Sequence, residues 1–176
     1  MIRSSHSLIS ALLLFAALLA ADHSEIIASG KPEHVLASIN VYKTRLPEAA
    51  QRLGKPASTR DEPVEDAPRA ISRDYIWRSD DCVLTAGTYI LDGKDGILYF
   101  VSVAGCSRAP KQWRTGRGLQ LGMTIPEVRA MYGPRFSGDA KRDGSINYEF
   151  RDGTTLTVDF GSDQKVRAIK LIAEVE

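Results

Sequence analysis

The chain has 176 residues, and its 23 basic and 22 acidic side chains give a formal net charge of +1. A protein that binds nucleic acid usually shows a basic footprint, so this near balance argues against that class of partner. Hydrophobic residues make up 43% of the sequence, which is typical of a folded core and excludes a disordered chain.

The first 21 residues have the layout of a secretory signal peptide. Arg3 supplies a positive start, residues 8–19 are apolar apart from Ser10, and Ala20 and Ala21 offer small residues for cleavage. About twelve apolar residues are too few for a membrane anchor, which needs roughly twenty. We therefore expect an exported protein, periplasmic or extracellular, with about 155 residues after cleavage and no transmembrane anchor.

The rest of the chain is predicted to contain two copies of one unit, at residues 22–106 and 119–176, joined by a basic linker at residues 107–118. The segment PEAAQRLGKP at residues 47–56 returns as PEVRAMYGP at residues 126–134. Strand-like runs follow both segments. A duplicated unit without duplicated reactive groups is typical of a scaffold that binds another molecule.

Two helices are predicted in the first copy. Pro32 is suited to a first helical position, and Val35, Leu36 and Ile39 share one helical face. A second helix is predicted at residues 46–53. It ends at a glycine followed closely by a proline, which is a typical C-terminal signal.

The first copy continues with a predicted loop at residues 58–69, which contains two prolines and several acids. Three strands are then predicted at residues 70–78, 82–91 and 97–103. A hairpin centred on Lys94 places Cys82 directly opposite Cys106, where Cβ atoms approach to about 4.5–5.5 Å. That separation is close to what a disulfide requires.

We predict a structural disulfide between Cys82 and Cys106, because an exported chain meets an oxidising compartment. The alternative is a redox-active thiol pair. Such pairs usually have Cys-x-x-Cys spacing, which lowers the pKa of one thiol, and the two cysteines here are far apart in sequence.

The second copy begins with a predicted capping box, in which Thr124 and Glu127 each serve the backbone N–H of the other. The helix that follows is predicted to end at Gly133. Strands are predicted at residues 145–150, 154–160 and 165–172.

The turn between the first two of these strands can be assigned from the apolar pattern. A three-residue loop at residues 151–153 pairs Tyr148 with Leu156 and Ile146 with Val158, so that apolar side chains share one face. It also puts Gly153 at the left-handed position that such loops require.

Together these elements predict an α+β fold made of two modules, each with a short helix and a three- or four-stranded antiparallel sheet. The helices lie on one face of the sheet or sheets. The sequence leaves open whether the modules have separate cores or join edge to edge. In both cases the opposite face is free for solvent or for a partner.

The second copy resembles a known repeat. The segment LQLGMT at residues 119–124, the helix end Gly133-Pro134 and the strand start Tyr148-Glu149 are similar to the repeat of β-lactamase inhibitory protein and of the SmpA/OmlA (BamE)-type assembly lipoproteins. The resemblance implies helices packed on a small antiparallel sheet that contacts other proteins. Unlike the lipoproteins, this chain has no cysteine directly after the signal. The contact loops do not align, so the resemblance assigns no binding residue.

Catalytic and metal-binding patterns are weak. The histidines are His6, His23 and His34, and none of them lies in a catalytic context. We predict no catalytic residue, no metal and no cofactor. Acidic pairs such as Asp80-Asp81 keep a carboxylate-dependent hydrolase as the alternative function of another class.

Aromatic and arginine side chains are the best candidates for contact with a partner, since they are enriched at binding hot spots. In the hairpin register above, two tyrosines face each other. The candidates are Trp113, Arg114 and Arg117 in the linker, Trp77 on the first strand, and the facing pair Tyr89 and Tyr99. As alternatives, Trp77 belongs to the core and Trp113 covers the seam between the copies.

The interpretation is an exported, soluble, non-catalytic module that binds another protein. It is either an inhibitor of a secreted or periplasmic enzyme or an accessory protein of envelope assembly. The sequence does not identify the partner.

Overall fold

A computed structural model describes residues 28, 30–65, 67–106 and 109–174. The predicted signal peptide and His23 lie outside these residues. Within these described ranges the fold is mostly β, with ten strands and two short helices. The elements in chain order are β1 (Val35–Leu36), β2 (Ile39–Asn40), α1 (Leu46–Leu53), β3 (Ser58–Pro63), β4 (Ala70–Ser79), β5 (Cys82–Leu91), β6 (Lys94–Asp95), β7 (Phe100–Ala104), α2 (Ile125–Tyr132), β8 (Ser145–Glu149), β9 (Thr154–Phe160) and β10 (Val166–Ala173).

Eight strands form one antiparallel sheet in the order β3-β4-β5-β7-β10-β9-β8, with β6 paired to β5. Strands β1 and β2 form a separate two-stranded sheet. In the main sheet β7 pairs with β10, from Phe100 opposite Ile172 to Ala104 opposite Ala168. This pairing joins the N-terminal and C-terminal strands into one continuous layer.

The prediction of two repeated modules is therefore wrong. Of the described residues, all the buried hydrophobic side chains except Ile90 form one core cluster. The N-terminal part also has the β1–β2 sheet and the edge strand β3, and the described C-terminal strands include no counterpart of either. Because β7 and β10 hydrogen-bond along their length, the two halves of the chain share one sheet and neither has a separate sheet of its own.

The core lies on one face of the main sheet, beneath the two helices. Ala49 of α1 and Val128 of α2 are fully buried there. An aromatic side chain holds the end of each helix: Trp77 Nε1–H donates to the Gly54 carbonyl at 2.7 Å, and the Tyr148 hydroxyl donates to the Gly133 carbonyl at 3.3 Å. These bonds satisfy carbonyl groups that a helix end leaves without partners.

The predicted first helix is wrong, because the segment around residue 37 is the β1–β2 hairpin. Ala37 and Ser38 have φ values of 53° and 65°, as the two central residues of a type I′ turn require. Leu36 and Ile39 are buried on either side of this turn. Apolar residues three positions apart fit a helical face and this hairpin equally well.

The predicted loop at residues 58–69 begins with strand β3, whose six residues are all exposed. Strand β3 pairs with β4 through charged side chains on both faces of the sheet. Arg60 donates to Asp74 at 2.6 Å, and Arg73 makes two bonds of 2.6 Å to Asp61. These residues lie directly opposite each other in the register. Ion pairs thus replace the apolar alternation by which strands are usually predicted.

The predicted hairpin centre at Lys94 is also wrong. The turn is formed by Asp92 and Gly93, with φ values of 52° and 75°. After β6 the chain no longer pairs with β5. Leu98 is buried there, and its N–H donates to the Thr44 carbonyl at 2.9 Å. When pairing resumes, the register has moved by one residue from the predicted one.

The disulfide prediction is confirmed. Cys82 and Cys106 are bonded, with a Cα–Cα distance of 4.8 Å. Because Val83 pairs with Ala104, the position across from Cys82 falls near Gly105, whose φ of 94° turns the chain. This turn brings Cys106 beside Cys82 in spite of the altered register.

Predictions for the C-terminal part agree closely with the structure. Thr124 N–H donates to Glu127 Oε2 at 2.7 Å, as the capping box requires. Tyr148 lies opposite Leu156 in the register, and Gly153 has a φ of 78°. Within the described part of the chain, no helix is both long enough and apolar enough to cross a membrane.

Candidate binding face

The main sheet has one face covered by the helices and one that stays accessible, which we call the open face. Two neighbouring rows of paired residues show the difference. The covered row is fully buried across six strands: Tyr75, Ala86, Val101, Leu171, Leu156 and Tyr148. The open row is partly or fully exposed across seven strands: Ser58, Ile76, Thr85, Ser102, Lys170, Thr157 and Asn147. Exposure in the centre of a wide sheet means that no described element packs on this face.

An aromatic ring lies flat on the open face. Phe100 is paired with Gly87, and a Cβ atom at residue 87 would lie 2.0 Å from Phe100 Cε1. The absence of a side chain at Gly87 therefore lets the ring rest on the sheet backbone. Lys170 Nζ is 5.6 Å from the centre of the same ring. The middle of the open face thus combines an aromatic surface with a positive charge.

Tyr89 and Tyr99 stack on each other beside Phe100, although the predicted register that places them directly opposite each other is off by one residue. Their ring centres are 4.5 Å apart and their planes differ by 2°. Burial raises the pKa of Tyr99 to about 12, so its phenol stays neutral at ordinary pH. Tyr89 remains 39% exposed. The pair forms a rigid aromatic edge at one end of the open face.

Exposed apolar side chains gather at the same end of strands β4 and β5. Among the described residues the exposed large hydrophobic side chains are Ile71 at 39%, Tyr89 at 39%, Leu91 at 58% and Ile97 at 40%. Tyr89 and Leu91 are two positions apart on β5, so their side chains are neighbours on the open face, whereas Ile71 pairs with the buried Ile90 and points to the other face. Clustered exposed apolar groups are typical of an interaction surface.

A cavity of about 730 Å³ adjoins the tyrosine pair. It lies where the β5–β7 connection, the β8–β9 turn and the β1–β2 hairpin meet. Its polar and aromatic walls are Tyr42, Tyr89, Tyr99, Arg151, Asp152 and Glu174. The volume lies within the range of about 300–1,000 Å³ that is usual for ligand pockets.

Hydrogen bonds fix one wall of this cavity. The Tyr42 hydroxyl donates to the Asp152 carbonyl oxygen at 2.7 Å, and His34 Nε2 lies 2.5 Å from Asp152 Oδ2. Partial burial works against ionisation of Asp152, but hydrogen bonds from His34 and Thr154 outweigh it and lower its pKa. Asp152 is therefore a negative group in the wall.

Arg151 and Glu174 contribute the other charges of the cavity. Both side chains are exposed. Neither makes a side-chain hydrogen bond or ion pair with any residue that the structure describes. They are therefore free to contact a molecule from outside.

Two of the predicted contact residues belong to the core. Trp77 and Trp113 are only 3% and 4% exposed, so neither side chain offers a surface to a partner. Burial of Trp77 follows from its position beneath α1. The position of Trp77 matches its alternative interpretation as a core residue, whereas Trp113 belongs to the single core and not to a seam between two copies.

The linker arginines behave differently from each other. The Arg117 guanidinium donates to the Met131 carbonyl at 3.0 Å and to the Lys31 carbonyl, and it lies 5.0 Å from the Tyr132 ring centre. Arg117 therefore joins the start of the described chain to α2. Arg114 is exposed and lies away from the cavity walls.

The possible metal ligands and carboxylate pairs have structural roles. Among the described residues one group, Asp81 with Cys82 and Cys106, has the proximity that a metal site needs. Its two sulfur atoms form the disulfide, so they cannot act as thiolate ligands. Asp80 and Asp81 are exposed in the β4–β5 turn, where Asp80 has a φ of 53°.

Sequence reasoning missed four residues that line the cavity: Tyr42, Arg151, Asp152 and Glu174. They come from three distant segments, which only the sheet order brings together. The one signal in the sequence was the predicted β8–β9 loop. That loop contains Arg151 and Asp152, and the structure confirms the strand register predicted for it.

Among solved structures, a DUF4309 family protein, YjgB, from Bacillus subtilis subsp. subtilis strain 168 is similar to this chain, with a TM-score of 0.42 and 16% sequence identity. The match covers 77% of this chain and 82% of that chain. No family model matches the sequence, and no curated protein matches it either.

The predicted resemblance to β-lactamase inhibitory protein and to the SmpA/OmlA-type lipoproteins is therefore wrong. The similarity found is to a different family, and one continuous sheet replaces the repeated modules on which the resemblance depended. The short LQLGMT motif reflects local chemistry, because its last residue is the N-cap of α2. A likeness at this TM-score assigns no function to the chain.

Proposed function

We propose that this chain is an exported protein that binds another protein through the open face and has no catalytic role. One observation carries the proposal: a seven-strand layer stays accessible on one face and ends in clustered exposed hydrophobic side chains. A sheet face of this kind can remain solvated. The aromatic and apolar groups that gather at its end favour a partner instead.

The size of the open face suits a protein partner. Strands in a sheet lie about 4.8 Å apart, so seven strands span roughly 30 Å. A standard protein interface takes about 800 Å² from each partner. The open face with its tyrosine edge offers an area of that order, which far exceeds what a small molecule contacts.

The chemistry of the open face also resembles that of binding surfaces. The open face also carries hydroxyl groups: those of Thr85 and Ser102 lie in the row next to Phe100, and that of Thr157 lies two strands away. Interfaces commonly place aromatic groups at their centre and polar groups around them. When such a surface binds a partner, its aromatic centre is removed from water while the polar groups at its rim keep their hydrogen bonds.

Export is supported by the covalent structure. The Cys82–Cys106 disulfide is typical of proteins that mature in an oxidising compartment. Together with the predicted signal peptide, it supports a periplasmic or extracellular location. Partners are then to be sought among envelope and secreted proteins.

Site-specific photo-crosslinking tests the proposal. A photoreactive amino acid replaces Thr157 in the middle of the open face, and a matched variant carries it at Ala130, which is exposed on α2. We expect discrete covalent adducts with one protein from the envelope or secreted fraction at residue 157 and none at residue 130. Equal labelling at both positions would contradict the proposal.

A charge insertion provides the matching competition test. Thr85→Lys places a long cation on the open face. Ala130→Lys makes a similar change on α2, which packs on the other face of the sheet. We expect the first substitution to abolish the residue-157 adduct and the second to leave it unchanged, with equal urea midpoints for both. Enzyme inhibition and envelope assembly both require a protein partner. The identity of the crosslinked protein then shows which of the two functions applies.

A further inference from the structure

We propose that the cavity beside Tyr89 and Tyr99 is the anchor site for an arginine side chain of the protein partner. The proposal rests on the proposed function and adds the chemistry of the contact. It commits the cavity to one occupant, a guanidinium group, for which the walls provide three kinds of attraction.

The first attraction comes from the aromatic walls. Tyr42, Tyr89 and Tyr99 line the cavity, and the last two are held parallel to each other by their stack. The face of a phenol ring carries negative potential and attracts cations within about 6 Å of its centre. A planar guanidinium stacks on such rings, which a compact ammonium group does less well.

The second attraction comes from charge. The cavity is lined by the carboxylates of Asp152 and Glu174 and by the guanidinium of Arg151, so the walls carry a formal charge of −1. His34, which does not line the cavity, already pairs with the carboxylate of Asp152. Glu174 has no such partner among the described residues, so its carboxylate is available to a cation.

The third attraction comes from apolar contact. Among the apolar residues of the lining, Ile97 is 40% exposed, whereas Val41 and Ala173 are almost completely buried. An arginine buries its methylene stem along apolar surface while its head reaches a polar group. The stem would lie against Ile97 and the head would reach the tyrosines and Glu174.

Two capped amino acids test this inference without the partner. N-acetyl-L-arginine amide supplies the cation, and N-acetyl-L-citrulline amide has nearly the same shape without the charge. Each is titrated into ¹⁵N-labelled protein and followed by two-dimensional NMR. We expect shifts of the Gly96 and Gly153 amides, which line the cavity. The citrulline probe should bind roughly tenfold more weakly, the factor expected for a cation–π contact with a carboxylate nearby.

Variants identify the groups responsible. Glu174→Gln removes the free carboxylate, and Tyr89→Leu removes a ring while keeping apolar volume. Each should weaken arginine binding by roughly tenfold and leave citrulline binding unchanged. Glu48→Gln makes the same charge change on the exposed surface of α1 and should have no effect.

Equal binding of the two probes, shifts that map away from the cavity, or no shifts at all would each overturn the inference. The proposed function is tested separately by the residue-157 adducts. If those adducts form while the arginine probe fails to bind, the anchor is discarded and the open face stands as the binding surface.

Discussion

The Tyr132 hydroxyl donates a hydrogen bond to Glu33 Oε2 at 3.0 Å, and both residues are buried. The same carboxylate accepts from the backbone N–H groups of Val35 at 3.1 Å, Gly116 at 3.2 Å and Arg117 at 3.1 Å. Burial, together with the negative charge of Glu33, raises the pKa of Tyr132 far above its ordinary value. One buried carboxylate thus ties the segment before β1 to the loop before α2 and to α2 itself.

Loss of this carboxylate should destabilise the fold. Glu33→Ala leaves one hydroxyl and three backbone N–H groups without their acceptor in a buried site, so we expect a loss of about 3 kcal/mol in unfolding free energy. Urea denaturation measures it. Glu65→Ala, an exposed matched change in a loop, should cost less than about 0.5 kcal/mol. A similar small cost for Glu33→Ala would show that water replaces the carboxylate.

Acid should weaken the contact between the β1–β2 hairpin and the β8–β9 turn. The pKa of Asp152 is lowered in the folded state. A lowered folded-state pKa means that the carboxylate stabilises the protein above the unfolded pKa of about 3.9, and that this contribution disappears as the pH falls through the folded value.

Asp152→Asn should therefore destabilise the protein at about pH 7 and lose less stability than the wild type on acidification to about pH 3. Urea midpoints at the two pH values measure the difference. Asp81→Asn, an exposed control in the β4–β5 turn, should keep the wild-type pH dependence. An unchanged pH dependence in Asp152→Asn would rule out this role.

Gly87 and Phe100 should be energetically coupled. A Cβ at residue 87 would collide with the Phe100 ring, so Gly87→Ala should cost about 1–3 kcal/mol through displacement of that ring. In a Phe100→Ala background the same change meets no ring, and its cost should fall by more than half. A double-mutant cycle in urea measures the coupling. Purely additive effects would contradict the close contact.

Neighbouring residues of the linker should differ sharply in their effects. Trp113 is buried, and Trp113→Ala should cost about 3–5 kcal/mol because it leaves a large cavity in the core. Arg114→Ala removes an exposed side chain and should change stability by less than about 0.5 kcal/mol. Thermal denaturation compares the two. Equal effects would mean that Trp113 does not belong to the core.

Local signals in the sequence predicted the C-terminal part of the fold well. Thr124 and Glu127 define the start of α2 chemically, and Gly153 together with the apolar pattern around Tyr148 defines the β8–β9 register. In these places, propensity, turn chemistry and apolar alternation all indicate one structure.

Other elements could not be predicted because their stabilising contacts are distant or ambiguous. Strand β3 is held by Arg60 and Asp61 pairing across to β4, without an apolar alternation to reveal it. The register between β5 and β7 depends on Leu98 entering the core against Thr44. The cavity joins residues more than a hundred positions apart, such as Tyr42 and Asp152, and only the strand order brings them together.

Strand β10, the last strand that the structure describes, occupies the centre of the sheet, between β7 and β9. A chain in which β10 has not yet paired exposes two open edges, and such edges invite aggregation. The strands on its two sides therefore become one layer only when β10 inserts between them, which makes its pairing the step that protects both edges at once.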